Sequence, residues 1–194
     1  MKKLGGKLNY NIAVLISGRG SNLKSIFRNS LEKKSCYKVM LVISNKKNAK
    51  GLLFAKKKNI KTYIINFTKS KKLANKVLNI LKKNNIKLLC LAGFMKILPE
   101  YFIRFYKGKI INIHPSLLPK YKGLNTHKRV LSNSDKYTGC TVHYVNKYLD
   151  SGKIIFQKKV RITKRDTEKS VEKKVLKIEH KIYPKAINKV LSNL

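Results

Sequence analysis

A chain of 194 residues, 43% of them hydrophobic, is long enough for one sizeable core and too short for two large domains. The net charge of +38 would suit a nucleic-acid-binding protein, but the lysines are spread along the whole chain. We attribute this charge to AT-rich codons and expect no nucleic-acid binding beyond non-specific attraction. No segment is long and apolar enough to span a bilayer or to form a signal peptide, which predicts a cytoplasmic protein without membrane partners.

Short apolar runs rich in Val, Ile and Leu alternate with lysine-rich stretches of helical spacing. The runs predict strands at 11–17, 39–44, 62–66 and 87–93. Such alternation is typical of βαβ units, in which helices flank a mostly parallel sheet that is buried on both faces.

The pattern changes in the second half of the chain. A fifth strand is predicted at 109–114, followed by two strands at 139–145 and 154–162 that lie close enough in sequence to pair antiparallel. A helix from about 167 to 194 closes the chain, and Pro184 is expected to kink or divide it. The fold class is therefore α/β, with an antiparallel C-terminal portion.

The sequence SGRGSNL connects the first strand to the first helix. Gly18 and Gly20 permit unusual backbone angles and close approaches, while Ser21 and Asn22 can cap the helix and donate hydrogen bonds. A dinucleotide fingerprint would need a third glycine where Leu23 stands, and no acid for a ribose diol follows the second strand. The loop predicts a site for one phosphate monoester, and a tight turn without a ligand is the alternative.

The sequence LAGFMKILP follows the fourth strand. Carboxyl ends of strands bind ligands in open α/β sheets, so an exposed apolar loop here could hold a flat heterocycle through its backbone groups. By itself this motif is more often a helix start that packs on the core.

Asn112 and His114 end the fifth strand in INIHPSLLP and point to the same face of the sheet if the segment is extended. An amide and an imidazole at this position could bracket one reacting carbonyl group. A histidine acting as a general acid among so many cations needs a close carboxylate, and Asp150 in DSG is the best-placed candidate. A turn aspartate that binds its own backbone is the alternative. A second histidine, His143, lies in the next predicted strand along the chain, at 139–145.

Five segments carry a family resemblance: NIAVLISGRGSNL, LAGFMKIL, INIHPSLLPKYKGLNTH, TGCTVHYVNKYLDSG and EHKIYP. In order and spacing, from about Asn11 to Tyr183, the chain resembles the folate-dependent phosphoribosylglycinamide formyltransferases of purine synthesis. The N-x-H and D-x-G motifs are shared by formyltransferases more widely, and the GSN loop is more specific. The resemblance implies one Rossmann-like domain over 11–194 after a flexible extension at 1–10.

The resemblance also implies a reaction and its residues. The formyl group of 10-formyltetrahydrofolate would pass to the amine of glycinamide ribonucleotide by direct attack, without a metal. The implied catalytic residues are Asn112, His114 and Asp150, with His143 in support. Residues implied in substrate binding are Gly20, Ser21, Asn22 and Glu179, and those implied in folate binding are Lys71, Met95, Lys96, Ile97, Leu98 and Asn112.

Three positions depart from the family pattern: Arg19, Asn125 and Ser151. Two other enzymes, methionyl-tRNA formyltransferase and formyltetrahydrofolate deformylase, look similar around NIHPSLLP, but each normally has an additional domain. A basic RNA-binding protein on the same scaffold is a further alternative. The partners implied are therefore small molecules, bound by a monomer or a homodimer.

Overall fold

A computed structural model describes residues 9–65 and 70–194, in which a seven-stranded sheet carries helices on both faces. The strands are β1 (Tyr10–Ile16), β2 (Tyr37–Ser44), β3 (Lys61–Ile64), β4 (Ile86–Leu91), β5 (Lys109–His114), β6 (Tyr137–Tyr144) and β7 (Ile154–Arg161). The helices are α1 (Ser21–Ser30), α2 (Lys50–Lys57), α3 (Lys71–Lys83), α4 (Glu100–Phe105), α5 (Thr126–Ser132) and α6 (Glu168–Leu191). Within these ranges, no helix combines the length and the apolar character needed to cross a membrane.

The strand order is β3-β2-β1-β4-β5-β6-β7. The first five strands in this order are parallel, while β6 pairs antiparallel with both β5 and β7. This topology confirms the predicted α/β fold with an antiparallel C-terminal portion. The chain reverses its direction of travel across the sheet between β1 and β4, and in open α/β sheets such a point opens a ligand crevice at the carboxyl ends of the strands.

Alternate residues of the strands fill two apolar cores, one on each face of the sheet. On one face, Ile12 and Val14 of β1 pack with residues of α1, α2 and α6. On the other face, Ala13 and Leu15 pack with residues of α3 and α4. Because both faces of the sheet are buried, the strand sequences are continuous apolar runs. This is why the strands could be predicted from the sequence.

The predicted strand limits agree with the structure to within two residues. The β5 limits match the prediction, whereas β1 begins at Tyr10, one residue inside the predicted N-terminal extension. Residues 1–8 of that extension lie outside the described residues, and so does Asn66, the predicted end of the third strand. The flexible extension therefore stays a prediction.

Of the two effects predicted for Pro184, division of the last helix does not occur, because α6 runs unbroken from Glu168 to Leu191. A proline has no N–H group to bond the carbonyl four residues earlier, which here belongs to His180. The hydroxyl of Ser25 in α1 donates to that carbonyl oxygen at 2.6 Å instead. The bond that the proline cannot make is thus replaced by a contact between two helices.

Tyr183 anchors α6 to the sheet. Its ring is fully buried, and its hydroxyl lies 2.8 Å from the Leu91 carbonyl oxygen and 3.2 Å from that of Ile111. These carbonyls belong to neighbouring strands, β4 and β5. Burial raises the pKa of Tyr183 well above its usual value, so the hydroxyl remains a donor. The contact fixes α6 above the strand ends where the candidate site lies.

We predict that Tyr183→Phe lowers the free energy of unfolding by about 1–3 kcal/mol, because two buried carbonyl groups lose a donor. Urea denaturation monitored by circular dichroism measures the change. Tyr101→Phe is the matched control, since the hydroxyl of Tyr101 makes an exposed bond to Asn75 and its loss should have a smaller effect. Equal losses in both variants would show that Tyr183 does not anchor the helix through its hydroxyl.

Candidate active site

The loop after β1 turns into α1 through Gly20, whose φ of 72° is left-handed. A Cβ at this position would lie 2.8 Å from the Cα of Gly51, so the contact with α2 also requires glycine. No side chain caps α1, which contradicts the prediction that Ser21 and Asn22 cap it. At Gly18, by contrast, a Cβ would meet nothing within 4 Å.

Ser17 ties together the loops that follow β1, β2 and β4. Its hydroxyl donates to Asn45 Oδ1 at 2.6 Å and accepts from the backbone N–H of Met95 at 2.8 Å. Its own N–H donates to the Gly93 carbonyl oxygen at 3.1 Å. The glycine-rich loop and the apolar loop are therefore neighbours at the crevice between β1 and β4.

The apolar loop presents only part of its predicted surface. Met95 and Ile97 are 62% and 72% exposed and Lys96 is exposed, as a ligand-contacting surface requires. Leu98 is only 4% exposed and its side chain packs into the core with residues of α3 and α4, so its backbone is the part that can meet a ligand. Its part in folate binding stays a prediction. Lys71 is exposed at the start of α3, with Nζ 5.8 Å from the centre of the Tyr101 ring.

The carboxylate of Asp150 gathers three side chains from β5 and β6. Its Oδ2 lies 3.3 Å from His114 Nδ1, and its Oδ1 lies 3.4 Å from Asn112 Nδ2 and 3.6 Å from His143 Nε2. Asn112 and His143 face each other in the register of the two strands, with Nδ2 and Nε2 3.3 Å apart. The structure thus brings together all four residues of the predicted catalytic group.

The loop after β5 completes this cluster with two backbone groups that the sequence did not indicate. The carbonyl oxygen of Tyr121 lies 2.8 Å from His114 Nε2, and the N–H of Gly123 donates to Asp150 Oδ2 at 3.0 Å. Tyr121 and Gly123 have positive φ angles of 57° and 79°, and Asp150 has one of 45°. A glycine two residues after a tyrosine is a weak signal, so only the folded loop reveals these contacts.

Burial and charge act in opposite directions on the two titrating groups. Burial raises the pKa of Asp150, but the nearby imidazole of His143, a hydrogen bond from the Gly123 N–H and the charge of His114 hold it below its usual value. For His114, burial lowers the pKa, and it outweighs the Tyr121 carbonyl and the Asp150 carboxylate. Asp150 is therefore an anion at neutral pH, while His114 is mainly neutral, unlike the protonated imidazole that a general acid would provide.

Asn22 and Glu179 form a second polar pair, between α1 and α6. Asn22 Nδ2 donates to Glu179 Oε2 at 2.7 Å, and both residues are buried. Burial raises the pKa of Glu179 to about 7 despite this bond. Asn22 Oδ1 is buried and has no partner among the described residues. A destabilised carboxylate beside an unpaired acceptor is a place for a hydrogen-bond donor or a cation.

Arg19 and Glu172 lie next to this pair. The guanidinium of Arg19 contacts Glu172 Oε1 at 2.7 Å, and both side chains are largely exposed. Glu172 is two helical turns before Glu179 on α6, so the two side chains lie on the same helix face. Because acids are scarce in this chain, this pairing was a sequence signal for a role of Glu172 near Glu179. Among the described residues, no group of three or more His, Cys, Asp or Glu side chains is arranged to hold a metal ion.

Comparison with known proteins places the chain in a family. Residues 10–187 match the family model described as formyl transferase. The chain is 40% identical over 193 residues to the trifunctional purine biosynthetic protein adenosine-3 of Gallus gallus. The alignment covers 96% of this chain and 19% of the relative. It thus spans about a fifth of the length of this relative.

Relatives of similar length carry a more specific name. The chain is 42% identical to phosphoribosylglycinamide formyltransferase of Haemophilus influenzae, over 91% of this chain and 84% of the relative. The crystal structure of phosphoribosylglycinamide formyltransferase from Anaplasma phagocytophilum aligns with a TM-score of 0.85 at 41% identity, covering 92% of this chain and 84% of that one. The chain therefore belongs to the formyl transferase family and, within it, to the phosphoribosylglycinamide formyltransferases.

Proposed function

We propose that the protein transfers the formyl group of 10-formyltetrahydrofolate to the amine of glycinamide ribonucleotide in purine biosynthesis. Family membership supports the activity. The observation that carries the proposal is the contact of Asp150 with Asn112 and His114 beside the strand ends. An amide, an imidazole and a carboxylate in contact suit a reaction that develops charge on a carbonyl oxygen and moves a proton.

The ribonucleotide would bind between α1 and α6. Its phosphate would meet the free backbone N–H groups in the first turn of α1, at Ser21 and Asn22, where the helix dipole favours an anion. Its glycinamide end would supply the donor that the carboxylate of Glu179 and the amide oxygen of Asn22 lack. Gly20 would bring the backbone close to the phosphate.

The folate would bind along the apolar loop. Met95 and Ile97 offer exposed apolar surface for a flat ring, and Lys96 lies between them. The side chain of Leu98 would support this loop from the core, and its backbone is the part that would meet the ligand. Lys71 offers a cation to the carboxylates of the folate tail.

In the proposed reaction, the amine attacks the formyl carbon, a new C–N bond forms, and negative charge develops on the formyl oxygen. Asn112 Nδ2 would donate to that oxygen, because its bonds of 3.3 and 3.4 Å are long enough to exchange readily. One such donor contributes about 3 kcal/mol in other enzymes.

Proton transfer would then pass through His114. The Nε2 atom of neutral His114 would leave its contact with the Tyr121 carbonyl and turn to the reactants. There it would take the proton that the attacking nitrogen loses. Asp150 stabilises the resulting imidazolium. The imidazolium then gives the proton to the departing folate nitrogen as the bond between that nitrogen and the formyl carbon breaks. His143 supports Asp150 and Asn112 from β6.

The direct test mixes purified protein with glycinamide ribonucleotide and a 10-formyl folate and follows deformylation of the folate by absorbance. A signal that requires the ribonucleotide supports the proposal. A signal of equal rate without the ribonucleotide would identify a hydrolase, and the absence of any signal would contradict both activities.

We predict that Asp150→Asn and His114→Ala each lower kcat by about 100-fold or more while the Kd of each ligand changes little, because they remove the proton carrier or its counter-charge. Asp135→Asn is the matched control. Asp135 contacts the hydroxyl of Tyr121 and Lys120 in the same loop, so its loss tests the loop without removing a catalytic group. Near-normal turnover in Asp150→Asn, or an equal loss in the control, would refute the assignment.

We predict that Glu179→Gln stabilises the protein at about pH 8 and weakens ribonucleotide binding. An acid whose pKa is raised in the folded state holds its proton longer there, so wild-type stability falls as pH rises from 4.5 to about 7. Glutamine has no carboxyl group to ionise, so the variant avoids this loss of stability, which corresponds to roughly 3 kcal/mol. Chemical denaturation from about pH 5 to pH 8 should show the difference growing.

Glu172→Gln serves as the control for this change. Glu172 is partly exposed and paired with Arg19, so its replacement should alter stability by less than about 1 kcal/mol. A stability difference between wild type and Glu179→Gln that does not vary with pH would show that Glu179 is not held protonated by burial.

A further inference from the structure

The side chain of Arg19 reaches from the glycine-rich loop across to α6, where its Nη2 atom lies 2.7 Å from Glu172 Oε1. Arg19 directly precedes Gly20 and the first turn of α1. It is also one of the three positions that depart from the family pattern. The ribonucleotide site proposed above uses the backbone of this loop, and no step of the proposed reaction uses the guanidinium.

The Arg19–Glu172 pair spans the same cleft as the Asn22–Glu179 pair, but nearer to solvent. The side chains of Arg19 and Glu172 are 77% and 45% exposed, whereas Asn22 and Glu179 are buried. Glu172 and Glu179 are seven residues apart on α6, which places both on one face of the helix. The buried pair thus forms the floor of the cleft proposed for the ribonucleotide, and the ion pair lies at its mouth.

Two further features of this cleft favour a ligand that carries an anion. The first turn of α1 has no acidic residue and no side-chain cap, so its free N–H groups and the helix dipole present positive charge beside Arg19. Asn22 Oδ1 is buried and has no partner among the described residues, which is an independent sign that a bound molecule completes the cleft. A guanidinium at the mouth adds a third donor group.

A phosphate monoester is a better partner for Arg19 than the carboxylate of Glu172. An ion pair between exposed side chains contributes little to stability, so the guanidinium is weakly held. A phosphate carries more charge than a carboxylate and has three acceptor oxygens that match the planar fork of an arginine. It would also accept hydrogen bonds from the first turn of α1, which the carboxylate of Glu172 does not.

We infer that Arg19 is a specificity-determining residue for the substrate phosphate. In the free protein, Glu172 holds the guanidinium at the mouth of the cleft. When the ribonucleotide binds, its phosphate takes the guanidinium over from Glu172. The inference rests on the proposed function and adds to it a side-chain ligand, supplied by this chain's own departure from the family pattern, that selects a phosphorylated substrate.

Calorimetric titrations with glycinamide ribonucleotide and with the corresponding ribonucleoside, which lacks the phosphate, test the inference near physiological salt. Arg19→Gln should weaken binding of the ribonucleotide about tenfold, because a charge-assisted hydrogen bond is lost. Binding of the ribonucleoside should not change, which also shows that the variant is folded. Arg28→Gln is the matched control, since it removes the same charge from the opposite end of α1 and should have little effect on either ligand.

The exchange between Glu172 and the phosphate predicts an effect in the other direction. Glu172→Gln removes the competing carboxylate and should tighten binding of the ribonucleotide about threefold, with no change for the ribonucleoside. Glu168→Gln is the matched control, because it removes the same charge one helical turn earlier on α6 and should change the affinity less.

The outcomes separate this inference from the proposed function. Equal losses of ribonucleotide affinity in Arg19→Gln and Arg28→Gln would show that only overall charge matters and would overturn the role of Arg19. Unchanged or weaker ribonucleotide binding in Glu172→Gln would overturn the exchange. Either result would leave the proposed transferase intact, whereas failure of the wild type to bind the ribonucleotide would overturn both.

Discussion

The candidate site depends on one buried carboxylate, that of Asp150. It contacts side chains from β5 and β6 and the backbone of the intervening loop, so it joins segments that approach each other only in the folded chain. Its backbone is left-handed at a φ of 45°, a conformation that aspartate tolerates better than most residues. The chain has only 8 acids against 46 basic residues, and one of those acids supplies the negative charge at this site.

Burial and hydrogen bonding have opposite effects on the protonation of His114. Both ring nitrogens face oxygen atoms that can only accept hydrogen bonds, those of Asp150 and Tyr121, which suits a charged ring. Burial opposes that charge and prevails in the resting state. A ring held between two acceptors can bond to both only after it takes a proton, and this suits the proton transfer proposed for it.

Most of the fold could be predicted because buried parallel strands read as apolar runs, and the two-residue spacing of Asn112 and His114 placed them on one face. The need for a carboxylate close to His114 pointed to Asp150, although nothing local distinguishes it from a turn aspartate. Its catalytic role stays a prediction that the family resemblance also implies. The burial of Leu98 and the carbonyl of Tyr121 could not be predicted, because both depend on how a loop turns in three dimensions. Local rules also misjudged Asn22, which bonds to Glu179 instead of capping its helix.

The proline of the last helix has an effect beyond the helix itself. Asn22 and Ser25, one turn apart on α1, donate hydrogen bonds to two adjacent residues of α6, Glu179 and His180. These two hydrogen bonds at neighbouring positions restrict the sliding and rotation of α6 relative to α1. The walls that would enclose the ribonucleotide are thus set before it arrives, and little of the binding energy is lost in ordering them. One of these two contacts uses the His180 carbonyl that Pro184 leaves without an N–H partner in its own helix.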